Sequence, residues 1–208
     1  MTSKFLRILI LSCVCVFTVL AARGRAGGDP VDPRSRQDGG TQANSDWRAR
    51  LHEQLPLLGH RNWIAVVDSA YPLQISPGIE TIETGSDHLE VVRRVLREVG
   101  ETKHLRPVVF TDAELKVVPE ADAPGVTYYR DTLAHFLEEF NGGGLEVHSL
   151  PHEEIIGKLD EAGKTFHVLV LKTRMTIPYT SVFVRLDCGY WTEEQEKKLR
   201  ERMGCSVP

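Results

Sequence analysis

Basic clusters are missing from this 208-residue chain. Its 25 lysines and arginines are scattered among 29 aspartates and glutamates. With no stripe of positive charge to track a phosphate backbone, nucleic acid is excluded as a natural partner. Cysteine is scarce. Of four, Cys13 and Cys15 sit near the N-terminus, and Cys188 and Cys205 serve the rest of the chain. Those two could close one loop around the C-terminal segment or remain as two buried thiols, and their spacing leaves both open. The chain also lacks an internal repeat, and its most apolar run, Ile8 to Ala22, is short for a membrane span.

That run has its own meaning. Lys4 and Arg7 precede it, and the small residues Ala21, Ala22 and Ala26 follow, so residues 1–26 read as a secretory signal. An uncleaved anchor is the alternative. Cleavage implies a secreted or periplasmic protein with no stable membrane association. It would remove four basic and no acidic residues, leaving 21 against 29, a net charge of −8. Residues 27–44 are rich in glycine, proline and charge, with little to bury, and read as a disordered spacer. With 41% hydrophobic and 26% charged residues overall, the remainder can support one sizeable core.

The chain from residue 45 to 190 is organised around one stretch, Leu57 to Pro72. Trp63-Ile64-Ala65-Val66-Val67 is apolar on both faces and too short for a helix, so it reads as a buried strand between turns at Gly59 and Pro72. His60 enters this strand and Asp68 leaves it, at the end where open α/β sheets place their ligands. To meet Asp68, His60 needs a loop that folds back or a neighbouring subunit.

Around this strand, a helix capped by Ser45 carries Trp47, Leu51 and Leu55. After a loop from Pro72 to about Thr84, a second helix starts at Ser86 and ends at Gly100. Pro107 to Phe110 is a strand, Val126 to Phe140 a helix, and Leu145 to Val147 a short strand. Ser149 or His152 caps a helix ending at Gly163. Phe166 to Leu171 and Ser181 to Leu186 are the last strands. Alternating strands and helices predict a layered α/β/α domain with a mixed, mostly parallel sheet. Residues 191–208 form a terminal helix with a Thr192/Gln195 capping box, packed through Trp191, Leu199 and Met203.

Several segments match a known pattern together. Leu58-Gly59-His60, a strand, then Asp68-Ser69-Ala70-Tyr71-Pro72 resembles the opening of the D-ribose pyranase and L-fucose mutarotase family. His152-Glu153-Glu154-Ile155 resembles that family's His-Glu-x-Phe at a helix start. Pro178-Tyr179-Thr180-Ser181 resembles its Pro-Tyr-Ala-Asn before a last strand.

The resemblance implies an isomerase that interconverts cyclic forms of a free monosaccharide, with no cofactor and no metal, assembled as a homo-oligomer with sites near subunit contacts. Ring opening needs a proton to leave the anomeric hydroxyl while another reaches the ring oxygen, and a histidine titrating near neutrality suits both directions. By resemblance, His60 would be the general acid/base and Asp68 would hold sugar hydroxyls or orient His60. His152, in the first turn of a helix, would act as a neutral donor or acceptor. Tyr179 would lend its phenol, and Tyr71 and Ser181 would contact the substrate.

The sequence departs from the pattern where Asn62 replaces an aspartate, Ser181 an asparagine, and Arg174-Met175 a Gly-Glu pair. These changes support an alternative, a non-catalytic carbohydrate-binding protein on the same fold. A metal-dependent hydrolase using His60, Asp68 and His152 ranks last, because no close spacing joins the three. His88, His104, His135, His148 and His167 read as structural or surface residues.

Overall fold

The computed structural model describes residues 39–204. The expected signal segment, the first part of the spacer and Cys205 lie outside the described residues, and with Cys205 the question of its bridge to Cys188. Among the described residues no helix is long and apolar enough to cross a membrane.

Among the described residues the α-helices and β-strands follow in the order α1 Gly39–Gln54, β1 Trp63–Val67, β2 Ile79–Glu83, α2 His88–Glu101, β3 Leu105–Asp112, α3 Val126–Glu139, β4 Glu146–Leu150, α4 His152–Ala162, β5 Val168–Lys172, β6 Val182–Cys188 and α5 Glu193–Arg202. The strands form one six-stranded sheet in the order β2-β5-β1-β6-β3-β4. β6 is antiparallel to both its neighbours, β1 and β3, and the other pairings are parallel. The expected mixed, mostly parallel sheet is present. β1 lies between β5 and β6, which is why all five of its residues are buried.

Side-chain alternation divides β1 between two cores. Ile64 and Val66 join Trp47 and Leu51 of α1, the Val91, Val95 and Val99 stripe of α2, and Leu133 and Leu137 of α3. Trp63, Ala65 and Val67 join Ile155 and Leu159 of α4 on the opposite face. Helices therefore cover both faces of the sheet, three on one side and α4 on the other.

Three expectations need correction. α1 begins at Gly39, ahead of Ser45, because its first turns are polar and carry no apolar periodicity for a sequence reading to catch. The stretch read as loop up to Thr84 contains β2, which among the described residues is an edge strand paired with β5 alone. Its Ile79-Glu80-Thr81-Ile82-Glu83 is short and mostly polar, as edge strands tend to be. Finally, α5 has its capping box between Thr192 and Gln195 but no packed face. Trp191, Leu199 and Met203 are all exposed, and no residue of α5 is buried.

Where β2 starts, Gly78 donates to Gly163 O at 3.1 Å and accepts from Val168 N at 2.9 Å. A Cβ at this position would collide with the carbonyl oxygens of Phe166 and Gly163. Both obstacles are backbone and cannot rotate away. Gly78→Ala is expected to cost about 1–3 kcal/mol, seen as a lower urea midpoint at unchanged slope.

Candidate functional site

Because five strands run one way and β6 the other, the C-terminal ends of β1, β3, β4 and β5 and the start of β6 share one edge of the sheet. Asp68 follows β1, Asp112 closes β3, His152 opens α4 just after β4, and Tyr179 to Ser181 lead into β6. Asp68, Tyr71, His152, Ile177 and Tyr179 line a cleft of about 420 Å³ there. The structure thus brings four of the expected site residues together: Asp68, Tyr71, His152 and Tyr179.

His152 is the best-supported side chain of the cleft. Its Nδ1 lies 3.1 Å from Asp112 Oδ1, with Asp112 fully buried and the imidazole about 29% exposed. Burial pushes the Asp112 carboxyl up from 3.8 to about 6. The bond and charge of His152 pull it down, and Glu114 and Asp68 add to the rise. The other oxygen, Asp112 Oδ2, is buried with no hydrogen-bond partner among the described residues. Against an ionised Asp112, the Nδ1–H of His152 donates, which leaves Nε2 as the ring's acceptor nitrogen.

The helix start that holds His152 is not capped by Ser149 or by His152 itself. Pro151 occupies the cap position without a side-chain bond, and both oxygens of Glu114 accept the His152 N–H at 3.1 Å. Glu114→Ala should therefore loosen α4 and cost about 1 kcal/mol, with faster amide exchange confined to residues 152–155.

Tyr179 meets His152 edge-to-face, with ring centroids 5.8 Å apart. It adopts φ 58°, a left-handed backbone that bulky residues rarely tolerate. Such strain persists only where neighbours impose it. Here Thr180 O accepts from the Tyr129 hydroxyl at 2.7 Å, and Thr180 Oγ1 donates to Ile177 O at 2.8 Å. The Tyr129 hydroxyl also lies 3.1 Å from His88 Nδ1, whose ring reaches Val66 O through Nε2 at 3.3 Å. Burial lowers His88 to about 4, so it stays neutral and structural, bracing the floor beneath the cleft.

Asp68 lines the cleft, and its Oδ1 accepts the Ala70 N–H at 2.7 Å, a turn-forming bond that leaves Oδ2 out of the turn. Tyr71 is buried, donates its hydroxyl to Gln74 Oε1 at 3.1 Å and borders the cleft with its ring. Burial raises its phenol well above the ordinary value, so it does not ionise. Ser181 is 2% exposed and is not among the residues lining the cleft.

His60 is at the other end of the sheet. It precedes β1, and five residues at ~3.3 Å rise put ~16 Å of strand between it and Asp68. Its Nδ1 is 2.8 Å from Asp187 Oδ1 near the end of β6. Burial opposes the charge of Asp187, but the Cys188 N–H, His60 and Arg106 outweigh it and hold the carboxyl below its usual value. No loop folds His60 back within the chain, because Asn62 pins the turn: its Oδ1 accepts Gly59 N at 2.7 Å and its Nδ2 donates to His167 O at 3.2 Å. The trio His60, Asp68 and His152 is therefore not assembled in one chain. Among the described residues no three His, Cys, Asp or Glu side chains converge as metal ligands. His148 and His152, four apart in sequence, bond to different carboxylates, Glu146 and Asp112.

Asp112 and Glu114 escaped the sequence reading, although a signal for the first was there. Val108-Val109-Phe110-Thr111-Asp112 repeats the pattern of an apolar strand running out into an aspartate seen at Val66-Val67-Asp68.

No protein-family model matches the chain, and no curated protein does. Among solved structures it is similar to Bacillus subtilis RbsD complexed with D-ribose, at 20% identity over 67% of this chain and 92% of that one, with a TM-score of 0.47. It is similar also to FucU from Bifidobacterium longum, at 13% identity over 67% of this chain and 94% of that one, TM-score 0.44. A third is the fucose mutarotase in complex with L-fucose from Streptococcus pneumoniae, at 18% identity over 65% of this chain and 89% of that one, TM-score 0.40.

Proposed function

We propose that the chain is an exported monosaccharide mutarotase or pyranase-like isomerase whose site is completed where two copies meet. The observation that carries this reading is the convergence of the Asp112–His152 pair, Tyr179 and Asp68 on one cleft at the ligand-binding edge of the sheet. The sequence resemblance supplies the reaction class.

In the forward direction, His152 Nε2 takes the proton of the anomeric hydroxyl. C1=O forms, the bond between C1 and the ring oxygen breaks, and the ring oxygen receives the proton of the Tyr179 phenol. The open-chain sugar turns about C1–C2 and recloses on the opposite face, or through another hydroxyl, and the protons return. Atoms and charge balance without a redox partner, and a few placed donors and acceptors are enough because free sugars already mutarotate slowly unaided. Asp68 would hold hydroxyls, and the buried wall of Tyr71 would bound the ring. His60 would come from a neighbouring copy as a further acid/base. Its Nδ1–H is occupied by Asp187, so Nε2 would do the work. Leu73 and Ile75, next along the chain from the cleft residue Pro72, are 73% and 94% exposed, a surface suited to a second copy.

Exchange NMR on the mature protein with ribose, fucose, galactose and glucose tests the proposal. Accelerated anomer or ring-form exchange with at least one sugar is expected. Saturable binding without acceleration would favour the second reading, a carbohydrate-binding protein. What speaks for that reading is the burial of Ser181 away from the cleft.

A further inference from the structure

The cleft around His60, about 770 Å³, also contains Arg61, Arg185, Tyr190 and Trp191. Arg61 and Arg185 line in addition the adjoining depression against α4, so the two side chains stand together on one face. Among the described residues neither forms an ion pair. Each guanidinium rests instead on an aromatic ring, Arg61 with Cζ 5.7 Å from the Phe166 centroid and Arg185 with Cζ 5.6 Å from that of Phe110. Stacking of this kind fixes the planar group and leaves its N–H edge for an acceptor.

Most carboxylates that could neutralise the pair are engaged elsewhere. Asp187 is held by His60 and by Arg106 at 2.6 Å. Glu196 accepts from Trp191 Nε1 at 2.9 Å and from Arg200 at 2.6 Å. Glu154 pairs with Lys158 at 3.2 Å and Glu161 with Lys164 at 2.6 Å. That leaves Glu193, in the first turn of α5, as the one lining acid without a cation among the described residues. Arg61 itself is held at φ 76°, a conformation costly for a long side chain. Lining the same cleft, Trp191 and Tyr190 are 42% and 73% exposed, and Trp191 is fixed by its bond to Glu196.

We infer that the His60 cleft takes an anionic monosaccharide, whose carboxylate or phosphate is held by Arg61 and Arg185 while its ring lies against Trp191 and Tyr190. A fork of N–H donors suits either anion, and an aromatic face suits the C–H face of a sugar. The inference rests on the reading of His60 as part of the sugar site and narrows its substrate class.

The experiment titrates the full chain with galactose, galacturonate and galactose 6-phosphate, following binding by calorimetry and anomer exchange by NMR on the same samples. One or both anionic sugars should bind roughly tenfold or more tightly than galactose, the size of one or two charge-assisted hydrogen bonds in a half-exposed site. The two anionic arms separate carboxylate from phosphate. Arg185→Gln and Arg61→Asn, the latter chosen because asparagine tolerates the left-handed backbone, should each remove most of that preference. Arg185→Lys, which keeps the charge, should retain part of it.

Equal affinity for neutral and anionic sugars would overturn the inference, as would a preference that survives both charge-removing variants. Accelerated exchange of galactose without anion preference would leave the isomerase standing and sink this inference. Arginine-dependent anion binding without any accelerated exchange would do the reverse.

Discussion

His152→Ala is expected to lower the catalysed rate of anomer exchange by about 10²–10⁴-fold, the range for loss of a placed acid/base group, while binding of the sugar weakens far less. Among the described residues His152 is the one imidazole that lines the cleft, and its bond to Asp112 through Nδ1 leaves Nε2 as the free ring nitrogen. The fold should survive, since the ring is part-exposed and the helix start it occupies is capped through its backbone N–H by Glu114. A rate unchanged by the substitution, with the protein folded by circular dichroism, would remove His152 from the chemistry. His152→Gln keeps a hydrogen bond to Asp112 but cannot exchange protons at neutral pH, and it should be as slow as alanine.

Asp112→Asn should separate stability from activity. Burial raises the Asp112 carboxyl from 3.8 to about 6 in the fold, so the folded state holds this proton more tightly than the unfolded chain does. The stability contributed is fully present below pH ~4 and is lost as pH rises through about 6. At pH 8 wild type bears an ionised, half-satisfied buried carboxylate. The asparagine variant avoids it and should be more stable by up to about 2–3 kcal/mol, the gap closing toward pH 4. Activity should move the other way, falling roughly tenfold or more, because the amide cannot stabilise a positive imidazole. Any limb of the pH–rate profile near pH 6 should flatten with it. Loss of stability at pH 8 greater than at pH 4 would contradict the assignment.

What the sequence revealed followed from local pattern. β1 was legible because five consecutive apolar residues between Gly59 and Pro72 admit few other structures, and α2 because valines and leucines recur at helical spacing. The Thr192/Gln195 capping box was legible because it is two residues at a fixed distance. β2 was not, since an edge strand needs only one buried side and Glu80 and Glu83 hid it. Neither was the exposure of Trp191, Leu199 and Met203, because an apolar residue announces only that it could be buried.

The candidate site divides the same way. Asp68, Tyr71, His152 and Tyr179 each adjoin a strand end, and the shared direction of the strands gathers them at one edge. His60 precedes its strand and so lies at the opposite edge, which the same rule predicts once the direction of β1 is known. Asp112 depends on a pairing 40 residues apart in sequence, and nothing in the local pattern around His152 points to it.

The central claim is that His60 of one copy and the His152 cleft of another form one site. Co-expression of His60→Ala chains with His152→Ala chains tests it most directly, with anomer exchange as the readout. Each variant alone should be strongly slowed. If the site is shared, random assembly places an intact pair at about a quarter of contacts, and the mixture should recover about that fraction of wild-type acceleration. A mixture as slow as its components, from variants shown to be folded and assembled together, would contradict the shared site.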